Sequence, residues 1–209
     1  DPELFGFGNF KINIMNADNT IRQSIFMFDS GRDMEPEHNV EHGLPADMEG
    51  YDFIKKTQID WYKNSIRELE AEYGKFKSMV LMHIPIKEYE EAFDYIEDNK
   101  YTPSGKAEIL YGWQYETVGS SPYNSGLFEA IKELGSTQAV FSGHDHMNDF
   151  CALYEGIYLI YAQCNGYNTY TMGDNLGWPE EKWVQGVTVV NVAKDGSITL
   201  KQRFNRDYL

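Results

Sequence analysis

Three histidines carry the strongest chemical signal in this sequence. His144 and His146 flank a single residue directly after Gly143 and a short apolar run, Gln138 to Ser142. Such a run reads as a buried strand. Imidazoles one residue apart on the turn that follows it can reach into a common cleft, and neutral imidazole is the commonest metal ligand. A bare His-x-His is also at home on a solvated surface. His83 ends a second apolar run, Ser78 to Met82, at His83-Ile84-Pro85. In parallel α/β sheets, ligands collect at the carboxyl ends of strands. Alone, His83 would read as a hydrogen-bonded core or rim histidine. Two strands ending in histidines make a metal-binding edge the expectation, with His83, His144 and His146 as ligands.

The elements that must position these residues follow from periodicity. Phe10 to Met15 alternates apolar and polar side chains and Gln23 to Asp29 is a denser apolar run, with turn formers between them, which predicts a β-hairpin. Gly31 to Tyr51 is polar and aperiodic and reads as a loop. Ile59, Tyr62, Ile66, Leu69 and Tyr73 recur at helical spacing behind Thr57, a candidate N-cap. A weaker helix is expected over Glu88 to Glu97, and a long loop from Asn99 to Tyr123. The aromatics of that loop, Tyr111, Trp113, Tyr115 and Tyr123, either line a cleft or anchor the loop to the core. Asn124 is a candidate cap for a helix bearing Leu127, Phe128, Ile131 and Leu134, and Gly135 can stop it. Phe150 to Tyr154, Ile157 to Ala162, Val187 to Val192 and Ile198 to Gln202 read as strands, the last two joined by a turn at 194–197. The pattern is α/β.

Composition narrows the partners. The chain has 209 residues, enough for one domain or a piece of one. Its 33 acidic residues against 18 basic give a formal charge of -15, which repels a phosphate backbone and argues against bulk nucleic-acid binding. A small anion remains open, because bound cations reverse the local field. Cys151 and Cys164 are too few for a disulfide scaffold. No apolar run approaches a membrane span, and the first residues lack the features of a signal peptide.

Met82-His83-Ile84-Pro85 and Gly143-His144-Asp145-His146 resemble the last two signature motifs of the calcineurin-like metallophosphoesterases. With Gly8-Asn9-Phe10, Phe28-Asp29-Ser30-Gly31, Gln58-x-x-Trp61, Asn124-Ser125-Gly126-Leu127-Phe128 and the trailing Asn148-Asp149, nearly the whole chain is similar to the purple-acid-phosphatase-related, Dcr2-like branch of that family. The resemblance implies a fold of facing mixed β-sheets flanked by helices, with residues 1–209 forming the C-terminal part of one such domain. It implies metal-dependent hydrolysis of a small phosphorylated ester by a water activated between two divalent or mixed-valence ions of iron, manganese or zinc. His83 and His144 would hold one ion and His146 the other.

The family's earlier signatures, D-x-H, G-D-x-x-D and G-N-H-[DE], do not occur in this sequence. Gly8-Asn9-Phe10 has phenylalanine where the histidine belongs, and Gly173-Asp174 lacks the second carboxylate, so neither Asn9 nor Asp174 is assigned as a ligand. The expectation is a site whose other ligands come from an N-terminal half absent here, with partial or no metal occupancy in this chain alone. A catalytically dead binding module is the alternative. Asp145, Asn148 and Asp149 read as supports or solvated turn residues. His38 and His42, among Glu35, Glu37 and Glu41, are expected on a solvated surface.

Overall fold

The structure, a computed structural model, describes residues 4–98 and 100–208. Residues 1–3, on which the expectation of no leader partly rests, and Asn99, the start of the expected loop, lie outside the described residues.

The hairpin forms as expected, with β1 (Phe10–Met15) antiparallel to β2 (Ile21–Met27). The excursion after it holds a short helix, α1 (Pro36–Glu41), which the absence of a sustained period concealed. Pro36 sits at its start, where the missing N–H costs nothing. The long helix α2 (Lys56–Tyr73) buries Ile59, Tyr62, Ile66 and Leu69 on one face. Its N-cap is Lys55 and not Thr57: Gln58 reaches back to accept the Lys55 N–H at 2.7 Å. It leads to β3 (Ser78–Leu81), parallel to β2.

The helix expected over Glu88 to Glu97 is instead a 3-10 turn, Lys87–Glu91, followed by strand β4 (Phe93–Glu97). The expected long loop contains β5 (Lys100–Pro103), which pairs with β4, and β6 (Glu108–Tyr111). Helix α3 (Leu127–Leu134) then leads to β7 (Thr137–Ser142), parallel to β3. At its N-terminus Gly126 holds the cap position in a left-handed conformation (φ 83°), and Asn124 accepts the Gly126 N–H in the preceding turn, so Asn124 is not the cap. β8 (Cys151–Tyr154) and β9 (Ile157–Tyr161) form a hairpin, with β9 parallel to β7. After the short helix α4 (Met172–Leu176), β10 (Gly186–Val192) and β11 (Ile198–Phe204) make a separate two-stranded ribbon.

Seven strands join one mixed sheet in the order β1-β2-β3-β7-β9-β8-β6. Alternation along its parallel strands divides the core. Phe26, Val80, Val140 and Leu159 face α2 and α3, whereas Met79, Ala139, Phe141 and Ile160 share a second cluster with Val190, Val192, Ile198 and Leu200 of the ribbon. Each fully buried Leu, Ile or Phe contributes roughly 1.5–3 kcal/mol. The ribbon does not reach the β1 edge, where Phe10 and Ile12 are 48% and 49% exposed. A trough of about 590 Å³ there is lined by Phe10, Met27, Leu81, Phe141 and His83. Among the described residues no helix is long and apolar enough to cross a membrane.

Candidate metal centre

The parallel strand ends bring two of the three histidines together. Beyond β3 and β7 the pairing continues: Met82 N–H donates to the Phe141 carbonyl at 3.0 Å, and Gly143 N–H donates to the His83 carbonyl at 3.1 Å. That register places the His83 and His144 rings 5.1 Å apart at 85°, with His144 Nδ1 3.3 Å from His83 Nε2. Ser30, three residues beyond the end of β2, accepts the Ile84 N–H at 3.0 Å and fixes the backbone after His83.

His144 sits in a left-handed conformation (φ 78°), rare for a residue with a Cβ. It is the centre of a three-residue turn closed by the Asp145 N–H on the Gly143 carbonyl at 3.0 Å. Such backbone costs about 1–3 kcal/mol and persists where the surroundings enforce it. Here they do. The Tyr51 ring meets the His144 ring edge-on at 4.4 Å, and buried Asp145 accepts the Gly119 N–H at 2.8 Å and the Tyr161 hydroxyl proton. Burial raises the Asp145 carboxyl above its ordinary range, and those donors pull it back.

His146 lies differently. Its ring stacks on Tyr170 at 4.7 Å and 12°, its backbone N–H donates to the Tyr170 hydroxyl at 3.1 Å, and its Nδ1 is buried without a partner. It remains close enough that its positive charge would depress the titration of both other histidines.

The residues after His146 brace the site. Asn148 accepts the Tyr115 and Glu116 N–H groups at 2.9 and 3.1 Å, and Asp149 accepts the Trp113 N–H at 2.8 Å. They tie the segment 112–119 to the histidine turn. The aromatics of that region anchor it: Trp113 packs on Phe93, Tyr115 on Trp178 and Tyr123 on Phe53. Asn9 accepts the Asp29 N–H and a Gln58 amide proton, which joins three of the sequence motifs in one structural clasp. Asp174 caps α4 by accepting the Thr171 N–H and hydroxyl proton. His42 accepts the Lys56 N–H at the start of α2, while His38 packs against Phe5 near Glu41.

No protein-family model matches the chain. It is 30% identical over 188 residues, 84% of its length, to an Arabidopsis thaliana protein named "Probable inactive purple acid phosphatase 14", and the match covers 41% of that protein. To the same plant's "Probable inactive purple acid phosphatase 29" it is 30% identical over 186 residues, covering 83% and 42% of the two chains. To "Phosphatase DCR2" of Saccharomyces cerevisiae it is 33% identical over 103 residues, covering 49% and 16%. Over more than four fifths of its length the chain is consistent with the C-terminal part of a purple-acid-phosphatase-related metallophosphoesterase. It spans less than half the length of the curated relatives it matches.

Similarity to purple acid phosphatases implies metal ions, and the donor atoms fit them in part. Two imidazole nitrogens bound about 2.0–2.1 Å from one tetrahedral ion stand about 3.3 Å apart. That is the spacing of the His83 and His144 nitrogens, 3.3 Å. The orphaned His146 Nδ1 is a further donor atom without a partner. Among the described residues, no group of three or more His, Cys, Asp or Glu side chains is gathered closely enough to hold an ion. Among the described residues the three histidines alone do not gather into a metal site, and no carboxylate joins them closely enough to complete one.

Their protonation makes one prediction. Burial, then the neighbouring imidazoles, hold His83 below its ordinary 6.5, and burial, then His146, does the same for His144. With folded values depressed, the unfolded chain takes up protons first, so this contribution is complete above 6.5 and is lost as the pH falls through the folded values. Urea denaturation at about pH 7.5 and pH 5.5 should show a smaller acid loss for a His83→Gln/His144→Gln variant than for the parent. Equal losses would show that these histidines are not held neutral by the fold.

Proposed function

We propose that this chain supplies the histidine side of a two-metal phosphoester hydrolase site, completed by a preceding segment of the same domain. The observation that carries the reading is the 3.3 Å approach of His83 Nε2 and His144 Nδ1 from two adjacent strand ends. His83 and His144 would hold one ion and His146 a second, the ions being iron, manganese or zinc. When bound, the pair of ions supplies an activated water and a clamp for the phosphoryl oxygens. The chain's own part is to present neutral imidazoles, which the depressed titration of His83 and His144 favours near neutral pH. The exposed apolar face of β1 and the trough beside His83 support a covering segment that brings the missing carboxylates. The substrate is a small phosphorylated ester.

A second reading, a metallophosphoesterase-like module without catalysis, is favoured by one specific observation: two of the three relatives described above carry the word "inactive" in their names. Two assays separate the readings. This chain alone with manganese should not turn over a generic aryl phosphate appreciably; a robust rate would refute the divided site. The complete protein should hydrolyse that substrate and lose activity with His144→Ala. No hydrolysis by the complete protein favours the module, and an unaffected variant removes His144 from the ligand set.

A further inference from the structure

We infer that Tyr170, backed by Glu116, is the positioning residue that fixes the His146 ring. The ring of His146 has no hydrogen bond to hold it through Nδ1, which is buried and unpartnered. An imidazole in that state gains by turning toward any partner within reach, so something else must hold its orientation. Tyr170 provides it. Its ring lies parallel to the imidazole at 4.7 Å and 12°, covering one face. Its hydroxyl accepts the His146 N–H at 3.1 Å and donates to one Glu116 carboxylate oxygen at 2.9 Å. The other Glu116 oxygen accepts the Met147 N–H at 2.6 Å. One phenol and one carboxylate thus hold consecutive peptide N–H groups on either side of the His146 Cα, while the phenol ring sets the side chain.

The clamp is itself held. Asn148 accepts the Glu116 N–H at 3.1 Å and donates to the Glu116 carbonyl at 3.2 Å. Thr171, next to Tyr170, is pinned as the N-cap of α4 by its reciprocal bonds with Asp174. The three parts, residue 116, the turn at 146–148 and residue 170, come from separate stretches of chain. His83 and His144 orient each other, and His146 depends on this outside support.

The consequence for metal affinity rests on the function proposed above; the positioning itself does not. The first readout is therefore metal-free. In proton NMR of the full chain, the His146 ring protons should be shifted upfield by the stacked phenol. They should stay so in Tyr170→Phe, which keeps the stack, and move toward ordinary values in Tyr170→Leu. Unchanged His146 resonances in Tyr170→Leu would overturn the inference, as would their loss in a folded Tyr170→Phe protein. The second readout is zinc titration by calorimetry. Tyr170→Leu should weaken zinc binding by about tenfold or more, as loss of groups that orient ligands does, with Tyr170→Phe restoring most of it. If the ring moves but neither Tyr170→Leu nor His146→Ala changes zinc binding, the positioning stands and the ligand role of His146 falls.

Discussion

A Gly119→Ala protein should lose the His83–His144 contact and about 1–3 kcal/mol of stability, the range for overpacking a filled site. A Cβ at position 119 would lie 2.7 Å from His144 Cδ2, 2.8 Å from Asp145 Oδ1 and 2.9 Å from His144 Nε2. None of these atoms can retreat cheaply. The His144 ring is packed between Tyr51 and His83 on a turn already in left-handed backbone, and Asp145 is tied to Tyr161 and to the N–H of Gly119 itself. The relief available is rotation of His144 out of the pair, or withdrawal of the 112–119 segment with its Asn148 and Asp149 bonds. The check combines a thermal melt with histidine ring resonances. For a domain of this size the melt should move down by roughly 2–4 °C per kcal/mol. A variant with the parent's melting temperature and unchanged His83 and His144 resonances would show that this packing is looser than described.

Where one side chain pattern dominated, the sequence was readable. The apolar stripe of α2 and the dense runs of β3, β7 and β9 stand out because their residues are buried at regular spacing between two layers. Elements at the edges were not. In β4 and β5 only Phe93 and Tyr101 are buried, so the hairpin shows no alternation, and Glu88, Tyr89 and Ala92 mimic a helical face through a tight turn. Pro103 and Gly105 disguised the surrounding strands as loop, although Pro103 ends its strand, where proline is tolerated. Helix α1 is six residues long and buries only Asn39, too little for a period to register.

The site divides in the same way. His83, His144 and His146 announce themselves because each stands beside a strand, and strand ends are set by local sequence. The residues that hold them do not. Tyr51, the 116–119 stretch with Glu116 and Gly119, Tyr161 and Tyr170 reach the histidines and their turn from four separate stretches of chain, which only the tertiary fold brings together. Asp145, Asn148 and Asp149 were visible as part of a motif, yet sequence could not separate a solvated turn from a brace. Burial decides it: all three are at most 8% exposed and spend their oxygens on N–H groups of the 112–119 segment.

The loop that carries Tyr51 to His144 depends on a buried ion pair, and Asp52→Ala should cost about 3–5 kcal/mol, the range for stranding one buried charge. Lys55 Nζ and the Asp52 carboxylate are bonded with side chains 3% and 2% exposed, and the ammonium lies 3.5 Å from the centre of the Phe53 ring. Lys55 also starts α2, where its N–H binds Gln58, and Gln58 in turn donates to the Asp29 carbonyl at 2.7 Å. Removing the carboxylate therefore loosens both the Tyr51 loop and the clasp behind Ser30. Burial already lowers the Lys55 ammonium from its ordinary 10.5, and Asp52 works against that shift. In the variant the opposition is gone, so the folded value drops further. Between the folded and unfolded values the unfolded chain binds the extra proton, and stability rises with pH. Urea denaturation should accordingly show the deficit of Asp52→Ala shrinking from about pH 7 toward pH 10, and a double Asp52→Leu/Lys55→Met variant should lie near the parent at both. A deficit that does not change with pH would mean that lost packing, and not an uncompensated ammonium, explains the damage.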